Sequence, residues 1–241
     1  MSAARYLAKR GHRVSLVEKE QQLGGQFALA WKAPGKEPMR EGLESLVRAV
    51  EESQVSILLG QTVDAPFVKE SNPDLLVWAT GAQDTIPEIP GLSDQRHLTA
   101  LEFYRGEKEV LGPRVLVIGA GRTGLEIAEE LGRKGYMVFA TKRTDPIGSH
   151  MEMVTRNLVL KRVAGLTNVT VLPHTAVNSF NADGVEIDTD GEKRILEPFQ
   201  TVILAFGLLP ARGPDEEIQN LVSKVEIIGD AQEVQDIFTA T

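Results

Sequence analysis

Three glycines with the spacing of a dinucleotide-binding turn are the clearest sign of chemistry in this sequence. Gly119, Gly121 and Gly124 form a GxGxxG motif. In such a motif the first glycine permits a tight turn, the second lets the backbone approach a pyrophosphate, and the third permits close packing of helix on strand. The start of the following helix attracts the same anion. We therefore predict a dinucleotide site, and count Arg122 and Thr123, which lie within the motif, among its cofactor-binding residues.

The flanking residues predict the elements that would hold this motif. Val115–Ile118 is a continuous aliphatic run, as expected of a strand buried on both faces of a parallel sheet. After the motif, apolar residues recur at helical spacing, and a second apolar strand is predicted at Met137–Ala140. A glycine turn that binds nothing is the alternative, but a motif between a buried strand and an amphipathic helix is a specific signal.

The chain also repeats itself with an offset of 124 residues, which pairs Gly135 with Gly11 and Val138 with Val14. Residues 1–11 therefore correspond to the helix after the glycine motif, and residues 14–17 to the second strand. Residues 55–59 and 169–172 are predicted as matching strands of the two copies. By this alignment the first copy of the motif would end just before Met1. We expect a first domain without its first strand and glycine motif, and an N-terminal truncation as the reason.

The two copies differ at the end of the second strand, where the ribose of the adenosine is read. The first copy has Glu18, whose carboxylate suits ribose hydroxyl groups, and the second has Lys142 followed by Arg143. Two cations would pair with a 2′-phosphate, which a carboxylate would repel. We infer FAD in the first site and NADP(H) in the second, with NAD(H) as an open alternative. A solvent-exposed basic pair is the other interpretation of Lys142 and Arg143.

Composition and charge exclude several other kinds of site and classes of partner. The 241 residues include 26 Lys and Arg, 34 Asp and Glu and no cysteine, and the net charge is −8. The absence of cysteine excludes disulfides, thiolate zinc sites and iron–sulfur ligation by these residues. The acidic balance argues against nucleic acid or a membrane surface as partner, and no apolar run is long enough to span a bilayer. We expect a cytoplasmic α/β protein.

The sequence shows no catalytic or metal-binding constellation. The four histidines, at positions 12, 97, 150 and 174, are far apart in the sequence and none has an HxxxH or paired-carboxylate neighbourhood. We predict no catalytic residue and no metal ligand. His150 lies nearest to the expected nucleotide cleft.

Four further motifs, in order along the chain, resemble those of the flavoproteins with two dinucleotide-binding domains. They are Glu18-Lys-Glu-Gln-Gln-Leu-Gly-Gly-Gln26, Leu76-Val-Trp-Ala-Thr-Gly81, Val202-Ile-Leu-Ala-Phe-Gly207 and Val225-Glu-Ile-Ile-Gly-Asp230. The resemblance implies α/β architecture with two Rossmann-like domains of the FAD/NAD(P)-binding type. It also implies further cofactor-binding residues, namely Lys19, Gly24, Gly25, Gln26, Val63, Ala79, Thr80, Gly81, Phe206, Gly207, Gly229 and Asp230.

Within that superfamily the chain looks most like the C-terminal region of old-yellow-enzyme-type NADH:flavin oxidoreductases, the 2,4-dienoyl-CoA reductase and trimethylamine dehydrogenase group. This resemblance rests on three segments, Leu23–Phe27, Trp31–Lys36 and the residues from Ile228 on. It implies hydride transfer from NAD(P)H to FAD, and an N-terminal barrel of the same polypeptide that holds FMN and an iron–sulfur cluster. A structural nucleotide-binding module without catalysis, as in amine dehydrogenases, and a ferredoxin- or glutamate-synthase-type reductase are the alternatives.

Proline and glycine near residues 87–91 and 112–113 predict the domain boundaries. We predict a discontinuous, incomplete FAD-type domain from residues 1–108 and 209–241, and an NAD(P)-binding domain from residues 109–208.

Overall fold

The structure is a computed structural model that describes residues 1–144, 146–149 and 151–235. Its strands are β1 (Val14–Glu18), β2 (Val55–Leu59), β3 (Leu76–Trp78), β4 (Ala82–Asp84), β5 (His97–Thr99), β6 (Arg114–Ile118), β7 (Met137–Thr141), β8 (Val169–Leu172), β9 (Thr175–Asn181), β10 (Gly184–Thr189), β11 (Glu192–Leu196), β12 (Thr201–Leu204), β13 (Leu208–Pro210) and β14 (Val225–Ile227). Its helices are α1 (Ser2–Lys9), α2 (Phe27–Ala30), α3 (Met39–Glu51), α4 (Ala65–Ser71), α5 (Ala100–Arg105), α6 (Arg122–Arg133), α7 (Met153–Ala164) and α8 (Glu216–Leu221).

The described chain divides into two compact units. Unit 1 comprises residues 1–31 and 35–83 together with the described residues from Leu208 on. Unit 2 comprises residues 32–34 and 84–207. Residues 84–108, which the sequence assigns to the first domain, lie in unit 2, because β5 pairs with β12 there in register from His97 opposite Val202.

Unit 2 is built on a five-stranded parallel sheet in the order β5-β12-β6-β7-β8. The central strand β6 pairs with β12 on one side and with β7 on the other. Val115, Leu116 and Val117 are completely buried, as the continuous apolar run predicts. Helices α6 and α7 pack together, and their apolar residues share one core with β6 and β7. The α/β class and these strands are confirmed.

A second, antiparallel sheet of unit 2 has the order β11-β10-β9. Asp190 and Gly191, between β10 and β11, have φ values of 52° and 89°. Two consecutive positive φ angles are characteristic of the tight hairpin turn whose twist matches that of the strands.

Unit 1 contains parallel strands in two separate pairs, β1 with β2 and β3 with β14. Helix α1 packs on β1 and α3, and α4 packs on α8. The strands β4 and β13 also pair, and the boundary between the two units falls within β4, between Gln83 and Asp84. The expected helix at residues 1–11 and strand at residues 14–17 are observed as α1 and β1.

The apolar run from Thr201 to Leu209 forms two strands rather than one. β12 ends at Leu204 and β13 begins at Leu208. Gly207 has a φ of 92°, a left-handed conformation that a continuous strand does not adopt. β12 and β6 end side by side, since Leu204 pairs with Ile118 in the parallel register.

Helix α5 begins with a reciprocal capping arrangement at Thr99. The Thr99 hydroxyl accepts a hydrogen bond from the Glu102 backbone N–H at 3.2 Å, and the Thr99 N–H donates to the Glu102 carboxylate at 2.8 Å. Burial alone would raise the pKa of Glu102, but its hydrogen bonds with Lys108 and Thr99 lower that pKa below the ordinary value. The cap fixes the point at which β5 leaves the sheet and α5 begins.

We expect Thr99→Ala to lower the free energy of unfolding by about 1 kcal/mol, because it removes a capping bond from a buried helix start. Chemical denaturation is the measurement. Thr62→Ala, at an exposed position, is the matched control and should change the stability by less than about 0.5 kcal/mol. Equal effects of the two substitutions would contradict the capping role.

Candidate functional site

The glycine motif of unit 2 lies at the point where the strand order of the sheet reverses. From β6 the chain moves to β7 and β8 on one side, and later returns to β12 on the other. A crevice outside the carboxyl ends of parallel strands at such a point is the usual ligand site of an open α/β sheet. The backbone N–H groups of Gly119 and Ala120 donate to the Thr141 carbonyl at 3.0 and 2.8 Å, and the Ala205 N–H donates to the Ile118 carbonyl at 2.8 Å.

Packing explains why glycine stands at two of the three positions of the motif, but not at the third. An added Cβ on Gly119 would lie 2.3 Å from the Ala205 carbonyl oxygen, and one on Gly124 would lie 1.8 Å from the Gly119 carbonyl oxygen. Both glycines are therefore required by packing within the unit. Gly121 has a φ of −78°, which any residue adopts, and its added Cβ would meet no atom within 4 Å. Neither the backbone nor the packing explains glycine at that position.

Gly121 is also the residue that caps α6, and its cap contains no side-chain hydrogen bond. Arg122 and Thr123, the first two residues of the helix, are exposed. The first amide groups of a helix lack partners within the helix and carry a partial positive charge. Open space at Gly121, in front of these groups, is a place where the backbone can approach an anion closely.

The predicted cations lie at the end of the neighbouring strand. Lys142 follows β7 directly, and its backbone N–H donates to the Leu172 carbonyl at 2.9 Å. Its ammonium donates to the hydroxyl of Ser149 at 3.0 Å, whereas the Arg143 side chain is exposed. The sequence does not predict Ser149 as a site residue, because its position depends on how the loop after β7 folds.

Phe206 and Gly207 follow β12 at the same edge of the sheet. Phe206 is 45% exposed, and the Gly207 carbonyl accepts a hydrogen bond from the Thr85 N–H at 3.2 Å. Unit 2 therefore brings its predicted residues together around the carboxyl ends of three adjacent strands.

In unit 1, Glu18 ends β1 and Lys19 follows it. The half-buried Glu18 carboxylate accepts a hydrogen bond from the Glu20 N–H at 2.9 Å, which holds it at the strand end, and Lys19 is exposed. The Glu18 carbonyl accepts from the Gln61 N–H at 3.0 Å. Val63 lies two residues beyond Gln61, and its side chain packs in the apolar cluster around Val68. Only its backbone is therefore available for the predicted contact with the cofactor.

Three other predicted segments of unit 1 lie side by side. Gln26, after the left-handed glycines Gly24 and Gly25, donates a side-chain hydrogen bond to the Ala82 carbonyl at 2.6 Å. The strands β3 and β14 run parallel, so the two turns that follow them share one edge. These turns contain the remaining predicted residues, Ala79, Thr80 and Gly81 after β3 and Gly229 and Asp230 after β14.

The glycines of these segments adopt conformations that favour glycine. The φ angles are 124° at Gly24, 50° at Gly25, 75° at Gly81 and 60° at Gly229. At Gly25 and Gly81 an added Cβ would meet nothing within 4 Å, so the space beside the backbone is open there as well. Glycine-lined segments of this kind can receive a phosphate-containing ligand through backbone N–H groups.

The acidic face of α6 is explained by structure rather than by catalysis. Glu129 is fully buried and accepts hydrogen bonds from Arg133 and from Arg162 of α7, at 2.6 and 2.7 Å. Burial and the neighbouring glutamates raise the pKa of Tyr104 far above its ordinary value, so this phenol stays protonated. The paired Glu129 joins α6 to α7, and Tyr104 is no base at physiological pH.

Neither a metal cluster nor a membrane span is found in the described part of the chain. Within residues 1–144, 146–149 and 151–235, no group of three or more His, Asp or Glu side chains is placed to hold a metal ion. Nor do these residues contain a helix with the length and apolar character that crossing a membrane requires. His150 lies outside the described residues.

Comparison with known proteins identifies what this arrangement resembles. A family model described as pyridine nucleotide-disulphide oxidoreductase matches residues 1–222. The chain is 32% identical to bilirubin reductase of Mediterraneibacter gnavus over 233 residues. The matched region covers 97% of this chain and 36% of that protein. The chain is also 29% identical to NADH oxidase of Thermoanaerobacter brockii over 245 residues, and this matched region covers 100% of the chain and 37% of the oxidase.

Among solved structures, 2-naphthoyl-CoA reductase matches with a TM-score of 0.90 and 25% identity, over 98% of this chain and 36% of the other. Histamine dehydrogenase from Rhizobium sp. 4-9 has the same fold, with a TM-score of 0.84 at 20% identity over 99% of this chain and 40% of its own. The chain thus spans little more than a third of the length of the relatives it matches.

We expect Gly121→Ala to weaken binding of NADPH and NADH at least about tenfold, because the new methyl group occupies the space open to a pyrophosphate. Its free energy of unfolding should change by less than about 1 kcal/mol, since no atom lies in the way. Isothermal titration calorimetry and chemical denaturation measure the two quantities.

Gly124→Ala is the matched control, a substitution in the same motif that should lower stability instead of affecting nucleotide binding alone. Its Cβ would collide with the Gly119 carbonyl, so it should lose about 1–3 kcal/mol of stability or fail to fold. If Gly121→Ala binds both nucleotides as the unsubstituted chain does, the glycine motif is not a nucleotide site.

Proposed function

The chain belongs to the pyridine nucleotide-disulphide oxidoreductase family, and we propose that it is the FAD- and NAD(P)H-binding module of a larger flavin oxidoreductase. In this proposal the module passes a hydride from NAD(P)H to FAD, within a protein similar to the 2,4-dienoyl-CoA reductase group. The observation that carries the proposal is Gly121, a glycine that neither backbone conformation nor packing requires, at the start of α6. Close approach of a pyrophosphate accounts for it.

The assignment of FAD to unit 1 rests on the chemistry of its strand ends. Glu18 offers a fixed carboxylate for ribose hydroxyl groups, and the open backbone at Gly25 and Gly81 offers room for the phosphates. In unit 2 the corresponding strand end has Lys142 and Arg143, which favours NADP(H) over NAD(H) because the 2′-phosphate is an additional anion.

The residues of this chain bind and orient rather than react. The glycine turn and the start of α6 bind the pyrophosphate, Lys142 and Arg143 bind the adenosine end, and Gln26 holds the glycine turn of unit 1 against Ala82. The nicotinamide and flavin, when bound, supply the hydride donor and acceptor. The chain need provide no general acid or base for this step, and its contribution is the position of the two rings.

We further propose that the electrons pass from FAD to another part of the same polypeptide, a barrel that holds FMN and an iron–sulfur cluster. This chain spans 36% of each of two relatives that support the proposal, bilirubin reductase of Mediterraneibacter gnavus and cinnamate reductase of Clostridium sporogenes, to which it is 32% and 25% identical. Both names describe reduction of a conjugated organic compound, so we propose an acceptor of that kind.

A second candidate is a module that holds nucleotides for structural reasons and transfers no hydride. It is favoured by similarity to dimethylamine dehydrogenase of Hyphomicrobium sp., 27% identical over 203 residues and 76% of this chain. The two candidates differ in one observable property, the reduction of bound flavin by a nicotinamide nucleotide.

Anaerobic addition of NADPH to the chain reconstituted with FAD should bleach the visible absorption band of the flavin. A yellow protein whose spectrum does not change with NADPH or NADH would contradict hydride transfer and support the structural module. A chain that takes up no FAD, while its far-ultraviolet circular dichroism shows folded α/β structure, would contradict the FAD assignment of unit 1.

Lys142→Glu should weaken NADPH binding by about 1–3 kcal/mol and spare or improve NADH binding, because it exchanges a cation for a carboxylate at the 2′ position. Titration with each nucleotide measures the ratio of the two affinities. Lys134→Glu, at the opposite end of α6, makes the same change of charge and should leave the ratio unaltered. An unaltered ratio in Lys142→Glu would refute the preference for NADP(H).

A further inference from the structure

The loop after β7 is anchored to the glycine turn. The backbone N–H of Gly148 donates to the Ala120 carbonyl at 3.0 Å, and Gly148 itself is buried with a φ of 68°. On its other side the loop is held by Arg156 of α7, whose Nε donates to the Ile147 carbonyl at 2.6 Å. Ser149, which directly follows Gly148, is therefore fixed relative to the turn that would receive the pyrophosphate.

Lys142 connects this loop to the sheet. Its backbone is fixed on both sides, since its N–H donates to Leu172 and its carbonyl accepts from the Thr175 N–H, each at 2.9 Å. Its ammonium donates to the Ser149 hydroxyl at 3.0 Å in a partly buried position. A lysine side chain loses considerable rotational freedom when it is held in one place, and here that loss is incurred before any ligand arrives.

The chemistry of this pair suits an anion with several acceptor oxygens. An ammonium has three N–H donors, of which the bond to Ser149 uses one. Because the serine oxygen accepts this bond, its own O–H stays available as a donor. Among the described residues, Lys142 forms no ion pair, so its charge is not neutralised by a carboxylate there.

We propose that Ser149 is a specificity-determining residue of the nucleotide site, which holds the Lys142 ammonium in place and binds the 2′-phosphate of NADP(H) together with it. The proposal rests on the function proposed for unit 2. It adds a hydroxyl, contributed by a loop tied to the glycine turn, to the two cations at the strand end. NADH has a neutral hydroxyl at the 2′ position, so it gains less from this pair.

Ser149→Ala should weaken binding of 2′,5′-ADP and of NADPH by roughly 10- to 100-fold, the range for a hydrogen bond to a charged group, and change binding of 5′-AMP and NADH by less than about threefold. These affinities are measured by calorimetry on the chain without added flavin, so no reaction is involved. Ser149→Thr, which keeps the hydroxyl, should restore most of the affinity. Ser179→Ala, a part-buried serine on β9, is the control and should change none of them.

A double-mutant cycle separates this role from a merely structural one. Because Ser149 is proposed both to hold the Lys142 ammonium and to bind the phosphate, Ser149→Ala should cost less affinity for 2′,5′-ADP in a Lys142→Met background than in the unsubstituted chain. Equal losses in both backgrounds, or equal losses for the phosphorylated and unphosphorylated ligands, would overturn the role of Ser149 and leave the nucleotide site intact. If the unsubstituted chain binds NADH but neither NADPH nor 2′,5′-ADP, the NADP(H) assignment fails, and the role of Ser149 fails with it.

Discussion

The close approach of backbone to backbone at the carboxyl end of β6 is the constraint on which the rest of unit 2 depends. Gly119 passes the Ala205 carbonyl, and Gly124 passes the Gly119 carbonyl, at separations that no side chain permits. These contacts bring the ends of β6 and β12 and the start of α6 to one point. The open position at Gly121, the exposed Phe206 and the strand end at Lys142 are all arranged around that point.

The sequence predicts the elements whose pattern is local. β2 and β8 begin and end at the residues expected from the internal repeat. β6 could be predicted to within one residue because a buried parallel strand has an uninterrupted apolar run. The strand β5, with the sequence His-Leu-Thr, has no such pattern and exists because β12 offers it a partner. For that reason residues 84–108 could not be assigned to unit 2 from the sequence.

The same distinction holds for the candidate sites. Glycine spacing and a change of charge at a strand end are visible in the sequence, so Gly121, Glu18 and Lys142 can be chosen from the residue types alone. Ser149 and the bond from Gln26 to Ala82 cannot, because each depends on a contact between segments whose separation in the chain says nothing about their distance. The functions of these residues remain predictions.

The two copies of the fold differ in how their strands are supported. In unit 2, β6 has a neighbour on each side and its residues 115–117 are fully buried. In the described part of unit 1, β1 and β3 each pair on one side only, and no residue of either strand is buried. A strand that is paired on both sides and fully buried opens only at a free energy close to that of unfolding the whole unit. Amide hydrogens of residues 115–117 should therefore be among the slowest of unit 2 to exchange with solvent, and the sheet that holds the glycine motif should keep its form while the loops around it move.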